Sequence, residues 1–352
     1  MPRPRKRFGQ HWLKDTAVHR AMVAAAGLSK GSATDKPDLV DPEHPVAPPL
    51  PVLEIGPGTG RLTQYLLKTG SPVLAVELDR DLCRLLGKRF GDQPHFHLVE
   101  ADFLRMEIPP NVETIVGNIP YNITSPILHK VLGSPHQPVT RYRCIVLLVQ
   151  KELAERLQAR PNTKAYGSMS IRCQYLAECE ILRAVPRSSF TPAPKVDSAI
   201  IRLRPRPYPL VPQDPKWFGQ LVQQGFSTRR KTLANTVQSL VDKAEVVRCL
   251  TAQGLDPAVR AENLSLDQWI ALSDQLLPHR LQPSQAVSSP PHGHEMNQTE
   301  ADWQDDDLEQ HDLEQHDLEQ HDVDPEFEVN NLDPLAAPDY PANPTKVEHL
   351  TR

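Results

Sequence analysis

Cysteine is scarce in this chain. Five are spread over 352 residues, at positions 83, 144, 173, 179 and 249. The number is odd and no pair has C-x-x-C spacing. This argues against a disulfide framework or a zinc site and points to a reducing cytosol; no metal is expected. Long hydrophobic runs are also missing. The longest, Cys144 to Val149, is far too short to span a bilayer and reads as a buried strand, so no membrane association is expected. The basic start, Met1 to Arg7, has no apolar stretch behind it and does not read as a secretory signal.

What the chain does have is charge, unevenly placed. Residues 281–352 hold 18 Asp/Glu against 2 Lys/Arg, a net of -16, which leaves residues 1–280 at +11 within an overall -5. A basic body suits a polyanionic partner, although ordinary surface lysine and arginine give the same sum. The acidic segment carries Asp-Leu-Glu-Gln-His three times in tandem, at 307–311, 312–316 and 317–321. A five-residue period fits neither helix nor strand packing, and the segment is poor in core-forming residues, so 281–352 is expected to be a disordered tail.

Periodicity sorts the rest. Asp15 to Ala26 reads as a helix, and Ser29 to Pro51, with six prolines, as a surface loop. Short apolar strands then alternate with helices. Strands are expected at 52–55, 73–76, 95–99, 112–116, 143–149, 179–185 and 198–203, with helices at 61–68, 80–90, about 125–132 and from 151. Such alternation implies an α/β fold with a largely parallel sheet covered on both faces. Prolines cluster from 205 to 215 and mark a boundary. Beyond it helices are expected at 217–226, 231–240, 244–253 and 266–276. The domain reading is therefore 1–205 α/β, 206–280 all-α and 281–352 tail.

Gly56-Pro57-Gly58-Thr59-Gly60 follows the first strand and opens a helix. Glycines there allow a sharp turn and close approach of a ligand. A dinucleotide fingerprint wants a third glycine at position 61, which is Arg61, so a pyrophosphate site fits poorly. Glu54 just before the loop suits a cofactor without phosphates. The next two strands also end in carboxylates. Glu77 is placed to accept ribose hydroxyls, and Asp102, with Phe103 beside it, to accept from an adenine amino group. Taken singly, these are also what a turn or a helix cap would use; three after three successive strands are harder to ascribe to chance.

Asn118-Ile119-Pro120-Tyr121 ends the fourth strand. An exocyclic adenine nitrogen is a poor nucleophile because its lone pair is delocalised. Two acceptors holding its protons, the Asn118 side-chain oxygen and the Ile119 carbonyl, would aim that lone pair at a sulfonium methyl, while Tyr121 offers a ring on which an extruded base can stack. The same residues are common in plain strand-ending turns.

With these motifs the chain resembles the ribosomal RNA small-subunit adenine dimethyltransferases over roughly residues 5 to 277. The resemblance includes Lys6 to Leu13, the glycine loop, Glu77-Leu78-Asp79, Ala101-Asp102, Asn118 to Tyr121, Gln150-Lys151-Glu152, Lys164 to Gly167, Phe190 to Ser198, Phe226 to Leu233 and Arg260 to Ser265. It implies a Rossmann-like class I S-adenosylmethionine-dependent methyltransferase sheet with a small helical C-terminal domain. It implies cofactor binding by Gln10, His11, Leu13, Gly56, Gly58, Glu77, Asp102 and Asn118. It gives the target amine to Asn118, Ile119 and Tyr121, and the far face of the flipped adenine to Phe190. The implied reaction is N6,N6-dimethylation of two adjacent adenosines in a hairpin near the 3′ end of 16S ribosomal RNA, by a cytoplasmic monomer that acts on a pre-small-subunit particle. Trp12 stands where the family usually has Phe, and the tail has no counterpart. Three other readings stay open: a large-subunit adenine methylase of the macrolide-resistance type, a DNA adenine methylase, and a non-catalytic assembly or nucleic-acid-binding factor that kept the fold. Arg229, Arg230 and Lys231, read at a helix start, and Arg3 to Arg7 are expected to meet RNA phosphates.

Overall fold

A computed structural model describes residues 5, 10–28 and 51–281. All of them lie in one compact unit, residues 1–306; a second unit, 307–352, holds none of them. The basic arm apart from Arg5, the proline-rich loop up to residue 50 and the acidic repeats fall outside the described residues.

The chain begins with β1 (Trp12–Leu13) and α1 (Thr16–Ala25). Asp15 caps α1, its carboxylate accepting the Ala17 N–H at 2.8 Å. Then come β2 (Val52–Ile55), α2 (Thr63–Leu67), β3 (Val73–Glu77), α3 (Arg80–Phe90), β4 (Phe96–Glu100) and β5 (Thr114–Asn118). They are followed by α4 (Thr124–Leu132), a short hairpin of β6 (Gly133–Ser134) and β7 (Gln137–Pro138), β8 (Cys144–Gln150), α5 (Lys151–Gln158), α6 (Ser168–Leu176), β9 (Ala177–Val185), β10 (Phe190–Thr191) and β11 (Ser198–Pro205).

Seven strands form one sheet in the order β4-β3-β2-β5-β8-β11-β9. The β2–β3, β2–β5, β3–β4 and β5–β8 pairs are parallel, whereas β11 runs antiparallel to both β8 and β9. The last two strands thus need no crossover helix, only the segment 186–197 between them. The central strands are apolar throughout because both faces are covered. On β8, Ile145, Leu147 and Val149 enter one core and Cys144, Val146 and Leu148 the other. The first core takes Ile127, Leu128 and Val131 from α4. The second takes Val18 and Met22 from α1 and Leu86 and Phe90 from α3.

The C-terminal helices are α7 (Pro215–Phe226), α8 (Leu233–Thr236), α9 (Lys243–Ala252) and α10 (Leu266–Leu276). Trp217, Phe218 and Trp269 bury completely in the core that also holds the α4 face of the sheet. Three elements depart from the periodicity. The helix expected over 231–240 is a single turn, Leu233–Thr236, with Lys231 and Thr232 in the α7–α8 connection and 237–240 in turns beyond it. Helix α6, which is buried on most sides and lacks an amphipathic stripe, was not expected. The pairing of β1 with β10 joins residues about 180 positions apart and left no local signal.

Candidate active site

The strand order brings the carboxyl ends of β4, β3, β2 and β5 side by side, where an open α/β sheet holds its ligand. A cleft of about 280 Å³ lies there. It is lined by Gln10, His11, Leu13, Gly56, Gly58, Glu77, Asp102, Asn118, Ile119 and Tyr121, so ten of the residues singled out from sequence converge on it.

The glycine loop turns because Gly56, Gly58 and Gly60 all have positive φ, +62°, +58° and +75°. At Gly60 a side chain would also run into the Phe90 ring on α3, so this glycine lets α3 close against the loop. Glu77, at the tip of β3, is buried and held by three backbone donors: Gly58 N–H to Oε2, and Leu78 and Asp79 N–H to Oε1, each at 3.0 Å. Burial raises its pKa and those donors oppose the rise. A carboxylate has about four acceptor positions, so at least one stays available to the cleft.

Asp102 follows β4. Its Oδ1 accepts the Leu104 N–H at 2.9 Å, and its carbonyl accepts Arg105 and Met106 N–H at 3.0 and 3.1 Å. The carboxylate is therefore fixed by the turn it starts, while Arg105 sits 3.6 Å from Oδ2 at the exposed surface.

Asn118 ends β5. Its Nδ2 donates to the His11 carbonyl at 3.1 Å, which settles the amide orientation and leaves Oδ1 as an acceptor. The His11 ring lies nearly parallel to Tyr121, with centroids 6.0 Å apart, and its Nδ1 is 2.9 Å from the Pro192 carbonyl. The Tyr121 hydroxyl bonds Ser198 Oγ at 2.7 Å. Gln10 is held by Asp79, which accepts from its Nε2 at 3.2 Å, and Gln10 Oε1 accepts the Arg5 N–H at 2.9 Å. Phe190 is the exception. It pairs with Leu13 through β10–β1, is 2% exposed and packs in the core with Val185 and Ile200, so its ring does not line the cleft.

The lining also includes Trp12, His19 and Arg61, to which sequence alone assigned no cofactor role, and Glu54, the carboxylate just before the glycine loop. Glu54 is 1% exposed, and burial, with the Glu77 charge adding to it, pushes its pKa up to about 8. His19, 2% exposed and stacked on Tyr65, is pushed down to about 4 by burial and the charge of Arg61. Glu54 Oε2 and His19 Nδ1 are buried without a hydrogen-bond partner among the described residues. His19 sits on the helix stripe that faces the core, where a sequence reading expects packing; only the fold shows that this stripe also borders the cleft.

Buried carboxyls at the ends of β2 and β3, a third carboxylate after β4 and open space off Gly56 fit a nucleoside joined to an amino acid. Together with the strand order they define a class I, S-adenosylmethionine-dependent methyltransferase. Comparison with known proteins makes the identity narrower. The chain matches the family described as ribosomal RNA adenine dimethylase over residues 1–277. It is 60% identical over 277 residues to ribosomal RNA small subunit methyltransferase A of Synechococcus sp., covering 79% of this chain and 94% of that protein. It is 49% identical over 289 residues to the protein of the same name from Acaryochloris marina, covering 80% and 100%. Among solved structures, the 23S rRNA methyltransferase ErmE aligns with a TM-score of 0.57 at 28% identity, over 75% of this chain and 99% of ErmE. A dimethyladenosine transferase from Plasmodium falciparum aligns with a TM-score of 0.58 at 25% identity, over 76% and 98%. The chain belongs to the ribosomal RNA adenine dimethylase family.

Proposed function

We propose that this enzyme dimethylates N6 of two adjacent adenosines in a hairpin near the 3′ end of small-subunit ribosomal RNA, acting as a monomer on a pre-small-subunit particle in the cytoplasm. The observation that carries the chemistry is the Asn118 amide, turned by the His11 carbonyl so that its oxygen is free to accept. Asn118 Oδ1 and the Ile119 carbonyl take the two protons of the target amine and direct its lone pair into the cleft. Tyr121, anchored through Ser198, supplies one face for the flipped base. The family resemblance gives the second face to Phe190, which packs in the core here. S-adenosylmethionine, when bound, supplies the methyl on a sulfonium. Glu77 accepts the ribose hydroxyls and Asp102 the adenine amine; Gly56 and Gly58 let the backbone lie close, and Gln10, His11 and Leu13 close the cleft. No strong base is needed, because the amine becomes acidic on alkylation. Residues 206–280 act as a helical RNA-binding domain.

The choice of small-subunit over large-subunit RNA rests on the higher identity to small-subunit enzymes, 60% against 28% for ErmE. The test is purified protein with labelled S-adenosylmethionine and small subunits that lack the modification, followed by mapping of the modified nucleotides. Two adjacent dimethyladenosines near the 3′ end are expected. Labelling of large-subunit RNA instead would overturn the assignment.

A further inference from the structure

Lys130, on α4, is absent from every motif above and does not line the cleft. Its ammonium donates to the carbonyls of Leu104 and Met106, at 3.0 and 2.5 Å. It also lies 5.4 Å from the centre of the Phe103 ring. Leu104 and Met106 belong to the turn that Asp102 starts, and Phe103 is buried and borders the cleft. One side chain thus grips both carbonyls of the turn from behind and the back of the aromatic wall. Those carbonyls, at the end of a single helical turn, have no continuing helix to satisfy them, and a cation is the favoured partner for such groups. The contact with Phe103 adds a cation–π attraction. Because α4 directly follows Asn118–Tyr121, Lys130 ties the turn bearing Asp102 to the element that leaves the target-amine site.

We propose that Lys130 is a positioning residue for cofactor recognition: by holding the Asp102–Met106 turn against α4, it sets the Asp102 carboxylate and the Phe103 wall where they select a 6-aminopurine. The proposal rests on the reading of Asp102 as the acceptor for the cofactor's adenine amine. Burial lowers the lysine pKa, while Asp102 and Glu107 oppose the drop, so the ammonium form is supported by the same turn it holds.

The experiment is calorimetric binding of S-adenosylhomocysteine and of its deaminated counterpart S-inosylhomocysteine, which carries a 6-oxo group. Wild type is expected to prefer the adenine ligand by at least tenfold; equal affinities would reject the Asp102 reading itself. K130M is expected to weaken S-adenosylhomocysteine about tenfold and the inosine ligand less than threefold. The KM for S-adenosylmethionine should rise in parallel, with kcat at saturation within threefold. K130R should restore the adenine preference. Should K130M fail to fold, K130Q serves in its place. Loss of both affinities by the same factor in a folded variant, or no loss in either, would overturn the positioning role.

Discussion

At the scale of single residues, the cleft shows how neighbours set what a side chain can do. Asn118 presents its oxygen as an acceptor because the His11 carbonyl takes up its nitrogen. N118A should lower kcat by about 10²–10³-fold, the usual cost of losing one aligned acceptor or donor, read from single-turnover methylation of small subunits. The Tyr121–Ser198 bond is shared by two groups, so each partner alone should cost about 1 kcal/mol. Y121F and S198A should then be non-additive in a double-mutant cycle followed by urea unfolding; strict additivity would show that the bond contributes nothing. Glu54 and His19 have opposite pH signatures in cofactor-free protein. Glu54 binds its proton more tightly folded than unfolded, so its contribution is present below about pH 4.5 and is lost as pH rises toward about 8. His19 holds its proton less tightly folded, so its contribution is present above about pH 6.5 and is lost as pH falls toward about 4. E54Q should therefore raise Tm more at pH 8 than at pH 5, whereas His19→Phe should raise it more at pH 4.5 than at pH 7.5.

At the scale of elements, the glycine loop and α3 depend on each other. Gly60 combines a positive φ with a position that leaves no room for a methyl group beside Phe90. G60A should destabilise the fold by roughly 1–3 kcal/mol, with a lower denaturation midpoint. The turn between α7 and α8 corrects the placement of the basic triplet, since Arg229, Arg230 and Lys231 precede α8 and all three are exposed. Arg229 links the two portions, donating to the Lys164 carbonyl of the α/β portion at 2.5 Å and lying 3.7 Å from Glu262 among the C-terminal helices. Much of its role is thus structural, and Arg230 and Lys231 are the better candidates for phosphate contacts. The double variant Arg230→Glu with Lys231→Glu should raise the KM for RNA roughly tenfold, in keeping with loss of two phosphate contacts, while S-adenosylhomocysteine binding stays unchanged. A parallel loss of cofactor affinity would place these residues elsewhere in the mechanism.

At the scale of the whole molecule, charge is divided between the two ends of the chain. Residues 1–280 carry +11 and residues 281–352 carry -16. The affinity for RNA should fall by roughly tenfold or more between 50 and 200 mM salt, since release of condensed counterions drives such binding. Truncation after residue 280 is expected to leave methylation rates within about twofold at moderate salt, because the acidic segment adds only a screened repulsion over a Debye length of about 8–10 Å. A large loss of activity on truncation would show that the segment takes part in the reaction.

Local pattern was enough for much of this protein. Apolar runs bounded by glycine, proline and carboxylates place the strands, because a strand covered on both faces has to be apolar throughout. The cleft residues at strand ends, Glu77, Asp102 and Asn118, are placed by the same logic: a parallel sheet presents its carboxyl ends to one crevice. Tertiary structure decided what depends on contacts distant in sequence. It paired Leu13 with Phe190 and turned the Phe190 ring into the core. It reversed β11 against β8, and it set His19 in the cleft wall. It carried Lys130 to the back of the Asp102 turn. None of these has a spacing signature, because the packing and hydrogen bonds that create them form only when segments far apart in the chain meet.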